Sequence, residues 1–412
     1  MDFIKKPRQI WSDVKKVQKL YNNWDALTPA KQMHCVHEVG RLTGIIIGVR
    51  AMHDCRIVAS SFMMAIVLVL YYISAVYTIY IRTIDGQFAE GLQCLSISGI
   101  YSSAMLGYLC LVLFKERFTL HKLTNFSQLN VYMDDPAPTK FNKVCKGAIK
   151  QSVQRIKLIL FLTYVSIIVG SAYPAYVFFK TGKLYTLTGV LIPGVSENSA
   201  TEMYLNAIYL FVTSIIAGIS LLFIHCIIGI LCDNIVVTSN IIVLEIEQLS
   251  DNLERNDLKP IEIRLRVKRI ILQILKSDEC TAETTDALYW FFFLSPYVLT
   301  YAIGLAMYSQ YLMGFPCGYG IAGMSYVQLF VLCVVGQNTV DSKEKIRIAL
   351  GNFKWYLIPD MEVRRDIGFI LQQVQNCSVF TMGPFDVLNY EFGGILTQRI
   401  LSFMMLLINF GK

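Results

Sequence analysis

Long apolar runs with few charges recur along this chain and alternate with cation-rich stretches. A helix needs roughly 20 mostly apolar residues to cross the hydrocarbon core of a bilayer. Residues 57–81, 91–114, 156–179, 203–232, 287–312, 318–340 and 389–410 meet that requirement. The pattern therefore predicts an all-α integral membrane protein with seven transmembrane helices. An apolar patch at 45–49 is too short to cross. Between the fourth and fifth spans, 233–285 turns rich in Glu, Arg and Lys yet keeps a helical period at Ile235, Ile242, Leu244, Leu249, Ile263, Leu265, Ile270 and Ile274. Those helices are expected to run on beyond the membrane. After the sixth span, 351–366 reads as a polar link, 367–380 as an amphipathic helix and Gly383-Pro384 as a break.

The last apolar run is unlike the others. It holds Gln398, Arg399, Ser402 and Asn409, and steps of four and three residues put Ile395, Arg399, Ser402, Leu406 and Asn409 on one helical stripe. Polar and ionisable residues at membrane depth face a bundle interior or a water-filled path. This helix is expected to line something wet.

Composition agrees with the membrane reading. The chain is 412 residues long, 54% hydrophobic and 16% charged, with mean hydropathy +0.48; soluble domains carry about 25% charged residues. The net charge of +7 is distributed by topology rather than gathered for nucleic acid. Lys5, Lys6, Arg8, Lys15, Lys16, Lys19 and Lys31 precede any apolar run, so no cleavable signal is expected and 1–56 reads as a cytosolic segment with amphipathic helices. With seven spans the termini lie on opposite sides, and the positive-inside rule places the amino terminus in the cytosol. The stretches 115–157, 255–276 and 343–365 then fall inside, while Arg82, Lys180, Lys183 and Lys412 fall outside. Asn125 and Asn376, in sequons, lie on the cytosolic side and should stay unglycosylated. The expected organisation is 1–56 cytosolic, 57–232 a bundle of four spans, 233–285 a cytosolic helical linker and 286–340 spans five and six. Residues 341–382 form a cytosolic anchor region and 383–412 the last helix.

Little in the chain suggests bound chemistry. Eleven cysteines are scattered without a CxxC pair; Cys94 and Cys317 could share one membrane face but read as unpaired packing residues. His34 and His37 have H-x-x-H spacing, which surface helices often show without metal. His225 reads as an interior histidine, and Asp278, Glu279 and Glu283 as a solvated face. There are no paired histidines or carboxylates within spans, no phosphate loop and no nucleophile motif. No catalytic residue, metal or cofactor is assigned.

Several features coincide in the last third: Trp355-Tyr356, Arg364-Arg365, Gln372 to Gln375, Gly383-Pro384-Phe385 and the final polar-striped helix. Together with the cytosolic amino terminus and the long fourth-to-fifth linker, they resemble the insect odorant receptor family. The resemblance implies an odorant-gated, non-selective cation channel subunit in a heterotetramer with a co-receptor subunit, at the plasma membrane of a sensory dendrite or cilium. It lacks the co-receptor's linker insertion and so looks like an odour-tuned subunit. The anchor part of the broken seventh helix would correspond to 365–380. The pore part would be 389–410, with Ser402 on the pore face, Leu406 at the gate and Asn409 one turn beyond. No pore serine is assigned at position 202, which is Glu202. Arg399 either pairs with a carboxylate such as Glu391, lines the path or snorkels.

The resemblance also places a small volatile organic ligand in the outer halves of spans two, three, four and six. Those halves offer Leu95, Ile97 and Tyr101; Ser166, Gly170, Tyr173 and Tyr176; Tyr204, Ile208 and Phe211; and Tyr319 and Tyr326. Gly170 and Pro174 would let the third span bend. Each tyrosine alone fits the interfacial aromatic belt beside membrane lipid, or simple packing, better than it fits ligand contact, and the set carries more than its members. Two alternatives remain: a gustatory-type channel, whose QF pair the last helix lacks, and a seven-helix receptor signalling through a cytosolic partner.

Overall fold

A computed structural model describes residues 59–113, 190–195, 200–313 and 317–410, with separate helical positions between 144 and 180. Two long helices organise it. Helix α3, Ala200–Arg255, has 56 residues, on the order of 80 Å of helix at 1.5 Å per residue. That far exceeds the roughly 30 Å of a bilayer core. It passes 232–233, where a boundary was expected, without a break. Helix α6, Cys317–Gly351, likewise runs through 340.

These two helices run parallel. Cys232 Sγ donates to the Val335 carbonyl at 3.4 Å, and further along Lys354 pairs with Glu254. Four helical segments among the described residues are long and apolar enough to cross a membrane: Ile227–Arg255, Tyr289–Leu312, Gly318–Leu357 and Tyr390–Asn409.

Around the first half of this pair pack α1 (Ala59–Ile84), α2 (Phe88–Leu113), α5 (Tyr289–Met313) and α8 (Tyr390–Phe410). Their shared core includes Tyr71, Tyr101, Ile224, Phe291, Phe292, Leu332 and Leu396. The α1–α2 pair is joined by polar contacts as well, Tyr72 Oη lying 2.5 Å from Ser102 Oγ. Ser103 and Ser295 hydroxyls meet at the same distance between α2 and α5.

A second core forms around the other half. Ile242, Ile246 and Leu249 of α3, Ile263, Val267, Ile270 and Ile274 of α4, Ile346 and Leu350 of α6, and Val363, Ile367, Ile370 and Val374 of α7 make it up. Here α4 is Pro260–Ala287 and α7 is Met361–Gln375. The turn between α3 and α4 is written locally. Asn256 adopts φ 54°, and Asp257 N–H donates back to the Asn252 carbonyl, closing α3. Pro260 then opens α4, where Lys259 N–H donates to the Glu262 carboxylate.

Helix α7 begins and ends earlier than the 367–380 expected from hydropathy. Asp360 caps it, its Oδ1 accepting from Glu362 N–H at 2.9 Å. The buried positions Val363, Ile367, Ile370 and Val374 follow at helical spacing. The chain then makes a two-residue antiparallel hairpin, β1 (Thr381–Met382) with β2 (Asp386–Val387), turning at Gly383 with φ 58°. It enters α8 at Asn389, whose Oδ1 accepts from Phe392 N–H at 2.8 Å.

Candidate functional site

Helix α8 is seated by close backbone approaches. A Cβ on Gly336 of α6 would lie 1.9 Å from the Leu388 carbonyl oxygen, and one on Gly304 of α5 would lie 2.4 Å from Phe403. Phe392, Leu396 and Ile400 form its buried face. The rest of the helix stays uncovered: only 17% of its apolar window is buried, against 50–71% for the other three segments. The uncovered face carries Arg399, Ser402, Leu406 and Asn409. The expected stripe is therefore the side that this chain does not pack. Position 202 contributes no serine to it: the residue there is Glu202, in the first turn of α3, and its side chain falls outside the described residues. Arg399 forms no ion pair with Glu391 among the described residues.

Beside this face, α6 and α8 bound an outward-open cleft of about 220 Å³, walled by Tyr326, Phe330 and Cys333 on one side and Tyr390, Gly393 and Thr397 on the other. Phe330 and Tyr390 stack across it with centroids 6.4 Å apart.

The hairpin before α8 is tied to the second core by a buried charge. Lys343 of α6 is 6% exposed, and its Nζ lies 3.5 Å from both Asp278 Oδ1 and Ser277 Oγ of α4. Asp278 Oδ1 also accepts from Ser378 N–H at 2.6 Å, just before β1. Burial pulls the Lys343 ammonium below its ordinary pKa, and the neighbouring Asp278 carboxylate offsets part of that shift. Asp278 is thus not on a solvated face as its acidic neighbours suggested. The helix pair α4–α6 turns it inward to meet Lys343, while Glu279 stays exposed.

The expected ligand residues that the structure describes differ in their surroundings. Ile97 and Tyr101 are buried, Tyr101 edge-on to Tyr71 with ring centroids 4.6 Å apart, and Leu95 packs beside Leu305 and Tyr308. Tyr176, Tyr204, Ile208, Tyr319 and Tyr326 are exposed on the outside, Tyr326 lining the cleft just described. Phe211 lies in α3, but its side chain, like Ser166, Gly170, Tyr173 and Pro174, falls outside the described residues. So do His34, His37, Asn125 and Cys317.

Turning the α6 tyrosines outward brings Ser325 and Gln328 in. They are 0% and 7% exposed, and Ser325 Oγ and Gln328 Oε1 have no hydrogen-bond partner among the described residues. On a span dominated by apolar and aromatic residues, composition alone does not single them out. Their i, i+3 spacing on an otherwise apolar span was the available signal. His225 is buried, as an interior histidine should be, and so is Cys94.

The sequence matches no protein-family model and no curated protein. Among solved structures, the chain is similar to the insect olfactory receptor OR5 from Machilis hrabei in complex with eugenol. That match has a TM-score of 0.67 and 14% identity over 92% of this chain and 99% of that one. A second structure of that receptor gives a TM-score of 0.67 and 14% identity over 91% of this chain and 98% of that one. The chain has the fold of that receptor along nearly its whole length.

Proposed function

We propose that this chain is an insect odorant receptor: a subunit of an odorant-gated cation channel that acts with a co-receptor subunit in the plasma membrane of a sensory neuron. The observation that carries the reading is α8. Its polar-striped face is left uncovered by its own protomer, within a fold shared with an olfactory receptor solved with eugenol. A membrane helix that exposes Arg399, Ser402 and Asn409 needs water or another subunit against them. Four such faces around an axis would supply both. In this reading the amino terminus is cytosolic, as the cation asymmetry indicates, and the second core is the cytosolic anchor. Leu406 is the apolar constriction, and a ligand opens the pore by favouring an arrangement in which the α8 helices stand apart.

The test is to co-express the chain with an insect odorant co-receptor and record whole-cell current during odour application under G-protein block. Rapid cation current that persists under block supports the channel. Odour responses abolished by the block favour a receptor that works through a cytosolic partner.

A further inference from the structure

We propose that Ser325 and Gln328 on the inward face of α6 are the hydrogen-bonding end of the ligand site, so that this chain detects neutral oxygen-bearing volatiles rather than hydrocarbons. The inference rests on the odorant-receptor reading and names the ligand class for it.

Both side chains are buried, stand one helical turn apart on the same face, and leave an oxygen without a partner among the described residues. In a membrane-spanning bundle such a group has no bulk water to turn to, and leaving one unsatisfied is costly. Two on adjacent turns of one helix mark a place where something else supplies the bond.

A third buried polar group lies at a corresponding position on α3. Helices α3 and α6 are parallel and meet at Cys232 and Val335. Seven residues, about two turns, before that contact lie the buried His225 of α3 and the buried Gln328 of α6. Ile224, Ile228, Ile321 and Ala322 are apolar neighbours in the same core cluster. The result is a short polar step in an apolar surround, the composition expected where a small ligand is oriented by one functional group.

The chemistry selects neutral partners. The buried charged residues among those described are Asp233, Glu245 and Lys343, and all lie at or beyond the Cys232–Val335 level, away from the step. An amide and a hydroxyl can each donate and accept, so an alcohol, phenol, aldehyde, ketone or ester satisfies them. A hydrocarbon of equal size leaves both oxygens unmet.

The test uses the full chain, co-expressed with a co-receptor for current and purified in detergent for thermal stabilisation. The probes are 1-hexanol, 2-heptanone, methyl hexanoate and eugenol, with n-heptane and ethylbenzene as size-matched hydrocarbons. Wild type should respond to at least one oxygenated probe at a concentration at least tenfold below any hydrocarbon. Gln328→Leu, with Ser325→Ala as the milder change, should raise the half-maximal concentration of that probe tenfold or more and shrink the preference. Gln328→Leu should also melt higher than wild type in the absence of probe, because an unmet polar group has been removed, and surface abundance is quantified alongside. Unchanged oxygenated-probe dose–response in both variants, or a wild-type preference for hydrocarbon, overturns the inference. Stabilisation by oxygenated probes without current removes the channel reading and leaves the site standing. Neither stabilisation nor current from any probe counts against both.

Discussion

The buried pair Lys343–Asp278 yields a prediction whose asymmetry can be worked out from its surroundings. At 3.5 Å, opposite unit charges attract by about 5 kcal/mol at an effective dielectric constant of 20. Desolvation opposes this attraction and outweighs it, since the Lys343 ammonium is held below its ordinary pKa. The partners differ in what they retain when separated. Asp278→Asn leaves a cation that is 6% exposed without its counter-charge, and also weakens the acceptor for Ser378 N–H. Breaking a buried pair in this way costs about 3–5 kcal/mol. Lys343→Met leaves Asp278, which is 18% exposed and still accepts from Ser378, for a smaller loss of about 1–3 kcal/mol. The double variant loses the stranded charge and should be more stable than Asp278→Asn alone. Thermal unfolding of the purified full chain, followed by monodispersity, gives the cycle directly. Equal losses from the two single variants, or a double variant no better than Asp278→Asn, would refute the claim that a stranded ammonium dominates.

Further outcomes follow from the same geometry. The folded Lys343 pKa is lowered, so the unfolded chain binds the extra proton between that value and about 10.5. Stability should therefore rise with pH across that window, and a melting series should show the rise in wild type and a shallower one in Lys343→Met. Gly336→Ala should abolish monodisperse expression, because its Cβ would meet the Leu388 carbonyl at 1.9 Å, whereas Gly229→Ala, with nothing within 4 Å, should express like wild type. Leu406→Ser should raise basal current, as a gate made of aliphatic side chains becomes wettable; unchanged basal current in a channel that still responds to odour removes Leu406 from the gate.

Hydropathy made the membrane elements legible. The last helix was expected from residue 389 and begins at Tyr390, and the linker after the fourth span is the helical continuation its isoleucine spacing indicated. The start of α7 was missed because Met361 to Asp366 is polar enough to resemble a loop; its signal was the cap at Asp360 and the first buried valine at Val363. The partners of Asp278 were invisible for another reason. Lys343 and Ser378 are distant in sequence, and only the parallel course of α3 and α6 beneath α4 and α7 brings them together. The face of α6 was the hardest to read. It is apolar nearly all round, so its pattern does not fix which stripe points inward; Ser325 and Gln328 are buried, and Tyr319 and Tyr326 are exposed.

The pore assignment of α8 is tested most directly by placing cysteines one at a time along that helix and applying a charged thiol reagent during odour-evoked current. Each variant is compared with the wild-type background, because the chain carries native cysteines. Block at Ser402→Cys, Leu406→Cys and Asn409→Cys, with Leu396→Cys and Ile400→Cys spared, is the expected result. Robust current unaffected at all three exposed positions, or block that follows the buried face instead, would contradict a conduction path along this helix.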